Sequence, residues 1–539
     1  MHSTKTICSD KNRLRAAINN LVSFSLVQRK TTSSSKDGSF WIHPLVHLWA
    51  REITSEGIPV APGTTPVQSA FERAICIAGK GLQHIEYQKT QSDWDFDQSI
   101  ETHFQILAKY LPELYNQETH TDEIDHRFAE ALYKIGFVEF HWRRCDRSER
   151  FLRASISAYE QTADDPCRYE AMRALARVLV DKAGHGPEGL ELAQRALKGI
   201  ESLEENRRVN AEKRDIHRVE FMRTTGILMR TNGKYNEVIQ LYNEAISLAE
   251  ETLGPEHFIT LRMVNSLAVT LGTQGHYCKA IELYTRTLHV YSRILASGHI
   301  SINRNHYNLG LCYMKGDHQK AQRHAFLALE GYEKTLGMHN TATLDAVSLV
   351  GYTYYNLGDY ENALNYYRRS LEGYEKTLGT DHTKTLNTVH WIGNTYCNSG
   401  DYENALNYYR RSLEGYEKTL GTDHTETLNT VRCIGNTYYN SGDYENALTY
   451  YRRSLEGYEK TLGTDHTETL NTVSCIGNTY YNSGDYENAL TYYRRLLEGR
   501  KKTLGTDHAD TLEAAQDIRD AERYITTIES SAASQISSI

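Results

Sequence analysis

Four histidines, His382, His424, His466 and His508, recur at intervals of 42 residues. Imidazole at regular spacing suggests metal ligation, since a neutral ring nitrogen binds zinc at about 2 Å. One ion needs all its ligands within a single shell. These histidines each stand at the start of a predicted helix, in successive copies of a repeat, too far apart to share an ion. A capping or packing role is the better reading, and no metal is expected. The cysteines, nine in all, are scattered singly with no C-x-x-C pair, so neither a zinc site nor a disulfide framework is expected. Arg410-Arg411 and its copies at 368–369, 452–453 and 494–495 would form a basic stripe. However, residues 401–442 carry six acidic and four basic side chains, and Glu414 lies one helical turn before Lys418. A solvated face is the simpler reading. No nucleophile–base pairing stands out. The chain is therefore expected to be no enzyme and to need no cofactor.

The composition of the whole chain narrows the classes further. Its 539 residues are 40% hydrophobic and 24% charged, ordinary for a soluble protein, with a formal charge of -9 that gives no encouragement to nucleic acid or an anionic membrane. No apolar run is long enough to span a bilayer. The N-terminus lacks the apolar stretch of a signal peptide. A cytoplasmic address follows.

Positioning falls to helices. Leu-Gly pairs at 378–379, 420–421, 462–463 and 504–505 close units of 42 residues, and earlier pairs stand at 253–254 and 336–337. Residues 382–399 and 401–420 each read as a helix. Val389, Ile392, Gly393 and Tyr396 share one side of the first, and Ala405, Leu406, Tyr409, Leu413 and Tyr416 that of the second. Gly400 separates them. Asp423 with Glu426, and Asp465 with Glu468, have the spacing of a capping box.

The run Val389-x2-Ile392-Gly393-x2-Tyr396, followed by Gly400-x-Tyr402 and Ala405-x3-Tyr409, resembles the tetratricopeptide repeat signature. The length and the TLG-x-DH-x-x-TL junction resemble the variant of kinesin light chains and of fungal and bacterial signalling proteins. The resemblance implies an all-α fold, a right-handed α-solenoid of helical hairpins whose first helices line a concave groove. Seven such units are expected over 206–507, degenerate helical repeats over 126–205, and a capping helix with a disordered tail over 508–539.

Copies 359–400, 401–442 and 443–484 differ at five places: Lys384/Glu426/Glu468, His390/Arg432/Ser474, Trp391/Cys433/Cys475, Cys397/Tyr439/Tyr481 and Asn365/Asn407/Thr449. With Asn387 taken as zero, His390, Asn394 and Cys397 lie at about 280° to 340°, opposite the packed side. In the family that face lines the groove. The expected peptide groove therefore comprises Asn387, His390, Asn394 and Cys397, then Asn429, Arg432, Asn436 and Tyr439, then Asn471, Ser474, Asn478 and Tyr481. The asparagines would form a ladder of donors and acceptors for an extended peptide, with the changing residues between them as readers. Drift at exposed positions after recent duplication is the alternative.

The N-terminal 12–53 has another character: an amphipathic helix (Leu14, Ile18, Leu21, Val22), a strand-like SFSLVQR, a polar loop, FWIH, and a helix from Pro44. SLVQR…FWIHPLVHLWAR resembles the winged-helix segment that follows the nucleotide-binding domain of NB-ARC signalling ATPases with tetratricopeptide sensors. There the histidine matching His43 approaches the nucleotide. Because no G-x-x-x-x-G-K-[ST] occurs, either the chain is a truncated product or it works without its motor. The organisation expected is a winged-helix-like remnant over 1–56, a linker and helical region over 57–125, and then the repeats. The function expected is a protein- or peptide-binding sensor arm of such a signalling protein lacking its ATPase domain. A kinesin light chain-like cargo adaptor is the alternative.

Overall fold

The computed structural model describes residues 27–29, 40–42, 126–141, 144–160, 166–180, 186–206 and 211–536. They belong to two compact units, divided between His276 and Tyr277. In the first, strands β1 (Val27–Arg29) and β2 (Phe40–Ile42) pair antiparallel, with Gln28 opposite Trp41. The two segments expected as strands thus pair antiparallel. The helices expected on either side of it, His43, and the 57–125 region up to the first described helix lie outside the described residues.

The remainder of the first unit is helical: α1 (His126–His141), α2 (Cys145–Glu160), α3 (Pro166–Val180), α4 (Gly186–Asn206), α5 (Ala211–Thr231), α6 (Tyr235–Leu253) and α7 (Phe258–Thr273). The second holds α8 (Tyr277–Ile294), α9 (Ile300–Tyr313), α10 (His318–Leu336), α11 (Thr341–Asn356), α12 (Tyr360–Leu378), α13 (Thr383–Asn398), α14 (Tyr402–Thr419), α15 (Thr425–Asn440), α16 (Tyr444–Leu462), α17 (Thr467–Asn482), α18 (Tyr486–Leu504) and α19 (Ala509–Ile536). Within each unit consecutive helices pack on one another as stacked hairpins.

The copied block shows why. Gly400 adopts a φ of +85°, which an L side chain resists, and the Asp401 N–H then donates back to Tyr396 O at 2.9 Å. Asp401 caps the next helix by accepting from the Asn404 N–H. One hairpin buries Ala405, Tyr409 and Leu413 against Val431 and Ile434 of the following first helix. That shared core is the reason a single hairpin is not a stable unit. Leu406 and Tyr396 are half-buried rather than central.

Two local expectations are corrected. The N-caps are His424 and His466, whose Nδ1 atoms accept from the Glu426 and Glu468 N–H groups, so Asp423 and Asp465 form no capping box. Their carboxylates instead face Lys460 and Lys502 of the next repeat. At the C-terminus α19 continues to Ile536, so the segment expected to be disordered is helical to that point.

Candidate functional site

The asparagine column is built by a tyrosine and a glycine acting together. Tyr409, Tyr451 and Tyr493 rise from second helices and donate their hydroxyls to Asn394, Asn436 and Asn478 Oδ1 at 2.5, 2.7 and 2.8 Å. Each ring lies across the bare Cα of Gly393, Gly435 or Gly477, where a Cβ would stand 2.7 to 2.9 Å from ring carbons. Burial raises all three phenol pKa values, so the hydroxyls remain donors. Each of these carboxamide oxygens therefore has one of its two acceptor positions taken from behind, and Asn436 Oδ1 also accepts from Cys475 Sγ at 3.9 Å. The tyrosine bond fixes the orientation of each amide, and its pair of N–H donors is the larger part of what it offers a ligand.

The outer column is less uniform. Asn387 Oδ1 accepts from Tyr416 at 2.8 Å, and Asn429 Oδ1 accepts from Arg432 at 3.0 Å. Asn387 is exposed, while Asn429 and Asn471 are half-buried. The expected ladder of donors and acceptors is, at its Asn394, Asn436 and Asn478 rungs, weighted toward donors.

The residues expected to read sequence between those rungs lie elsewhere. His390 is 8% and Cys397 9% exposed, which removes both from an open groove. His390 Nδ1 meets Thr430 Oγ1 at 3.2 Å, and its ring meets Tyr409 edge-on. Cys397 Sγ accepts from Thr437 Oγ1 at 3.5 Å and from Asn440 Nδ2. Arg432 pairs with Glu468 of the next repeat at 2.9 Å. Tyr439 accepts from Asn482 of the next repeat, and Tyr481 packs against Tyr524 of α19. Ser474 is half-buried. In the preceding repeat, Lys384 reaches back to Asp345 at 2.7 Å, and Trp391 meets Tyr355 edge-on at 5.5 Å.

The helical wheel explains this placement. With Asn387 at zero, Lys384 and Trp391 fall on one side of it, within about a sixth of a turn, and His390 and Cys397 on the other, within about a quarter of a turn. The four variable first-helix positions thus flank the asparagine ridge on its two edges, one edge toward each neighbouring repeat. The ridge is legible as a face; the edges are not, because a lone helix carries no sign of what stacks beside it.

The unchanged surface residues have the complementary explanation. Arg410 bonds to Tyr438 of the following repeat and Arg411 to Glu375 of the preceding one, and Arg452 and Arg453 repeat the pattern. Lys418 reaches Asp381 rather than Glu414. Lys376, with His339 where the later copies have aspartate, pairs with Glu372 within its own helix at 2.6 Å. Reactive chemistry is disfavoured at the nearby thiols. Burial pushes Cys433 up to about 12 and raises Cys475 as well, so both stay protonated.

Comparison with known proteins places this pattern. The tetratricopeptide repeat profile matches residues 223–293, 342–418, 385–460 and 426–474, and a second tetratricopeptide repeat profile matches 469–510. No curated protein matches the chain. Among solved structures, the nearly identical TPR-like repeats of a kinesin light chain candidate from Podosopora anserina are 22% identical, covering 38% of this chain and 96% of that one, with a TM-score of 0.34. The apo quorum sensor NprR of B. thuringiensis is 12% identical over 69% of this chain and 98% of its own, with a TM-score of 0.49. A Rap protein complexed with Competence and Sporulation Factor is 16% identical over 70% and 99%, with a TM-score of 0.47.

Proposed function

We propose that this chain, whose residues 223–293 and 342–510 match tetratricopeptide repeats, binds an extended peptide or protein segment along the first helices of its second unit, without catalysing a reaction. The observation that carries the reading is the row of amide donors at Asn394, Asn436 and Asn478, each held by a buried tyrosine hydroxyl. Such a row suits backbone carbonyls, the acceptors every peptide presents. First helices of neighbouring repeats stack on the order of 10 Å apart. An extended chain advances about 3.3 Å per residue, so one rung would serve about every third residue. Preorganised donors lose little entropy on binding. Stacking of the hairpins into a right-handed superhelix with these helices on the inside belongs to the same reading.

In context, we take the chain as the sensor arm of an NB-ARC/tetratricopeptide signalling protein working in the cytoplasm. The support is the antiparallel pairing of Val27–Arg29 with Phe40–Ile42, which fits the strands of a winged helix. The 42-residue junctions support the second reading, a kinesin light chain-like cargo adaptor. A random-peptide display library panned on the full chain tests the binding role. Enriched peptides should lose at least tenfold in affinity for the Asn394→Ala, Asn436→Ala, Asn478→Ala variant. Undiminished binding by that variant would sink the proposal.

A further inference from the structure

The donor row breaks off at its N-terminal end, and the residue at the break leaves a donor stranded. Twelve residues after their N-caps, α9, α11, α13, α15 and α17 carry Leu311, Tyr352, Asn394, Asn436 and Asn478. Tyr352 thus stands where the later repeats have an amide. The clamp behind it is unchanged. Tyr367 of α12 follows Tyr352 by 15 residues, as Tyr409 follows Asn394, and its ring lies across Gly351, where a Cβ would stand 3.0 Å from a ring carbon. With no asparagine to receive it, the Tyr367 hydroxyl has no hydrogen-bond partner, although the residue is only 1% exposed. Burial raises its pKa well above the usual phenol value, so it stays a donor. A buried donor without an acceptor costs free energy, and in the later repeats the acceptor is a carbonyl oxygen.

The surroundings of that hydroxyl are aromatic. Tyr352, Tyr355 and Trp391 are half-buried and pack on the core that holds Tyr367. The Trp391 ring centre lies 4.7 Å from that of Tyr352, 5.5 Å from that of Tyr355 and 6.5 Å from that of Tyr367. The next two copies have Cys433 and Cys475 in place of Trp391, so the aromatic group belongs to this repeat. One repeat earlier, Leu311 is 41% exposed and continues the apolar surface. Asp345, two turns before Tyr352 on α11, is committed to Lys384 and to the Tyr374 hydroxyl.

We propose, on the premise that the chain binds an extended peptide along these helices, that Tyr352, Tyr355, Tyr367 and Trp391 seat a proline of a polyproline II segment. A β-strand turns alternate side chains to opposite faces, so its every third residue would meet successive rungs with alternating faces. Polyproline II has about three residues per turn at about 3.1 Å each, and so shows one face to rungs on the order of 10 Å apart. Proline has no N–H, which suits a row weighted toward donors, and its ring packs on tyrosine and tryptophan. The carbonyl beside it is the acceptor that Tyr367 lacks, and a change of rotamer at Tyr352 would uncover that hydroxyl. A quaternary ammonium group also suits electron-rich rings, but it offers nothing to an unpaired donor.

The test is isothermal titration of the full chain with blocked decaproline and with a blocked Gly-Ser peptide of the same length. Decaproline should bind roughly tenfold more tightly. Tyr352→Asn, which supplies the missing amide, should remove that advantage, with circular dichroism checking the fold. Tyr367→Phe should weaken decaproline several-fold without lowering the thermal midpoint, because the free protein has no bond there to lose. Tyr409→Phe, which breaks the bond to Asn394, should lower the midpoint. Equal binding of the two peptides, an advantage that survives both Tyr352→Asn and Tyr367→Phe, tetramethylammonium binding more tightly than decaproline, or a chain dimer that Tyr352→Asn dissociates would overturn the assignment. The Asn394→Ala, Asn436→Ala, Asn478→Ala variant separates this site from the row. Display peptides that need the asparagines, with decaproline ignored by the wild type, would sink the proline site alone. Decaproline bound undiminished by that variant would keep the proline site and sink the row.

Discussion

Arg432 and Glu468 are 36 residues apart in the chain and 2.9 Å apart in space, joining two repeats through positions at which the copies differ. The variable residues of the block are, by this and the neighbouring contacts, mainly a property of the seams.

A double-mutant cycle on Arg432→Ala and Glu468→Ala measures that seam directly. Arg432 is 19% and Glu468 38% exposed, so screening is partial, and the coupling is expected at about 1 kcal/mol in urea denaturation. Strict additivity of the two single losses would show that the pair contributes nothing.

Acid should loosen the second unit. Burial lowers the His390 pKa to about 4, and burial followed by His324 does the same for His306. The unfolded value is about 6.5, so the folded state binds fewer protons in this window. The associated stability is complete above about pH 6.5 and is lost as pH falls toward 4. For His390 alone the loss is on the order of 3 kcal/mol at the acid end. His390→Ser, the residue found at 474, should flatten the pH dependence of the midpoint; an unchanged slope would refute it.

The histidine caps make a different demand. Because Nδ1 of His424 accepts from the Glu426 N–H at 3.2 Å, replacement by alanine should cost about 1 kcal/mol. Asparagine should restore the loss, since Asn340 holds the same place and accepts from the Ala342 N–H at 2.9 Å. Thermal midpoints of His424→Ala and His424→Asn decide this, and equal destabilisation by both would count against the cap.

Much of the repeat region could be read from periodicity. Val389, Ile392, Ala405 and Tyr409 lie where helical spacing puts them, and the helices begin and end within about a residue of their expected limits. Two things were not legible. His424 took the cap, a role open to it from its place at a helix start, but that Asp423 would form no capping box was hidden, because the choice depends on which residue takes the extended backbone just before the helix, not on spacing. His390 and Cys397 were assigned to the open face because their cover, Thr430, Thr437 and Asn440, lies about 40 residues downstream.

The seams described above also bear on how long the array must be. His390 and Cys397 face Thr430, Cys433, Thr437 and Asn440; the corresponding residues one copy later are Thr472, Cys475, Thr479 and Asn482. The outer ties from Arg410, Arg411 and Lys418 have identical counterparts at Arg452, Arg453 and Lys460. Excision of residues 401–442 would therefore bring α13 against α17 with the same side chains in reach, and insertion of another copy would do likewise. The number of units is an adjustable quantity, and the proposed row of amide donors can be lengthened or shortened by one rung without redesign of any joint.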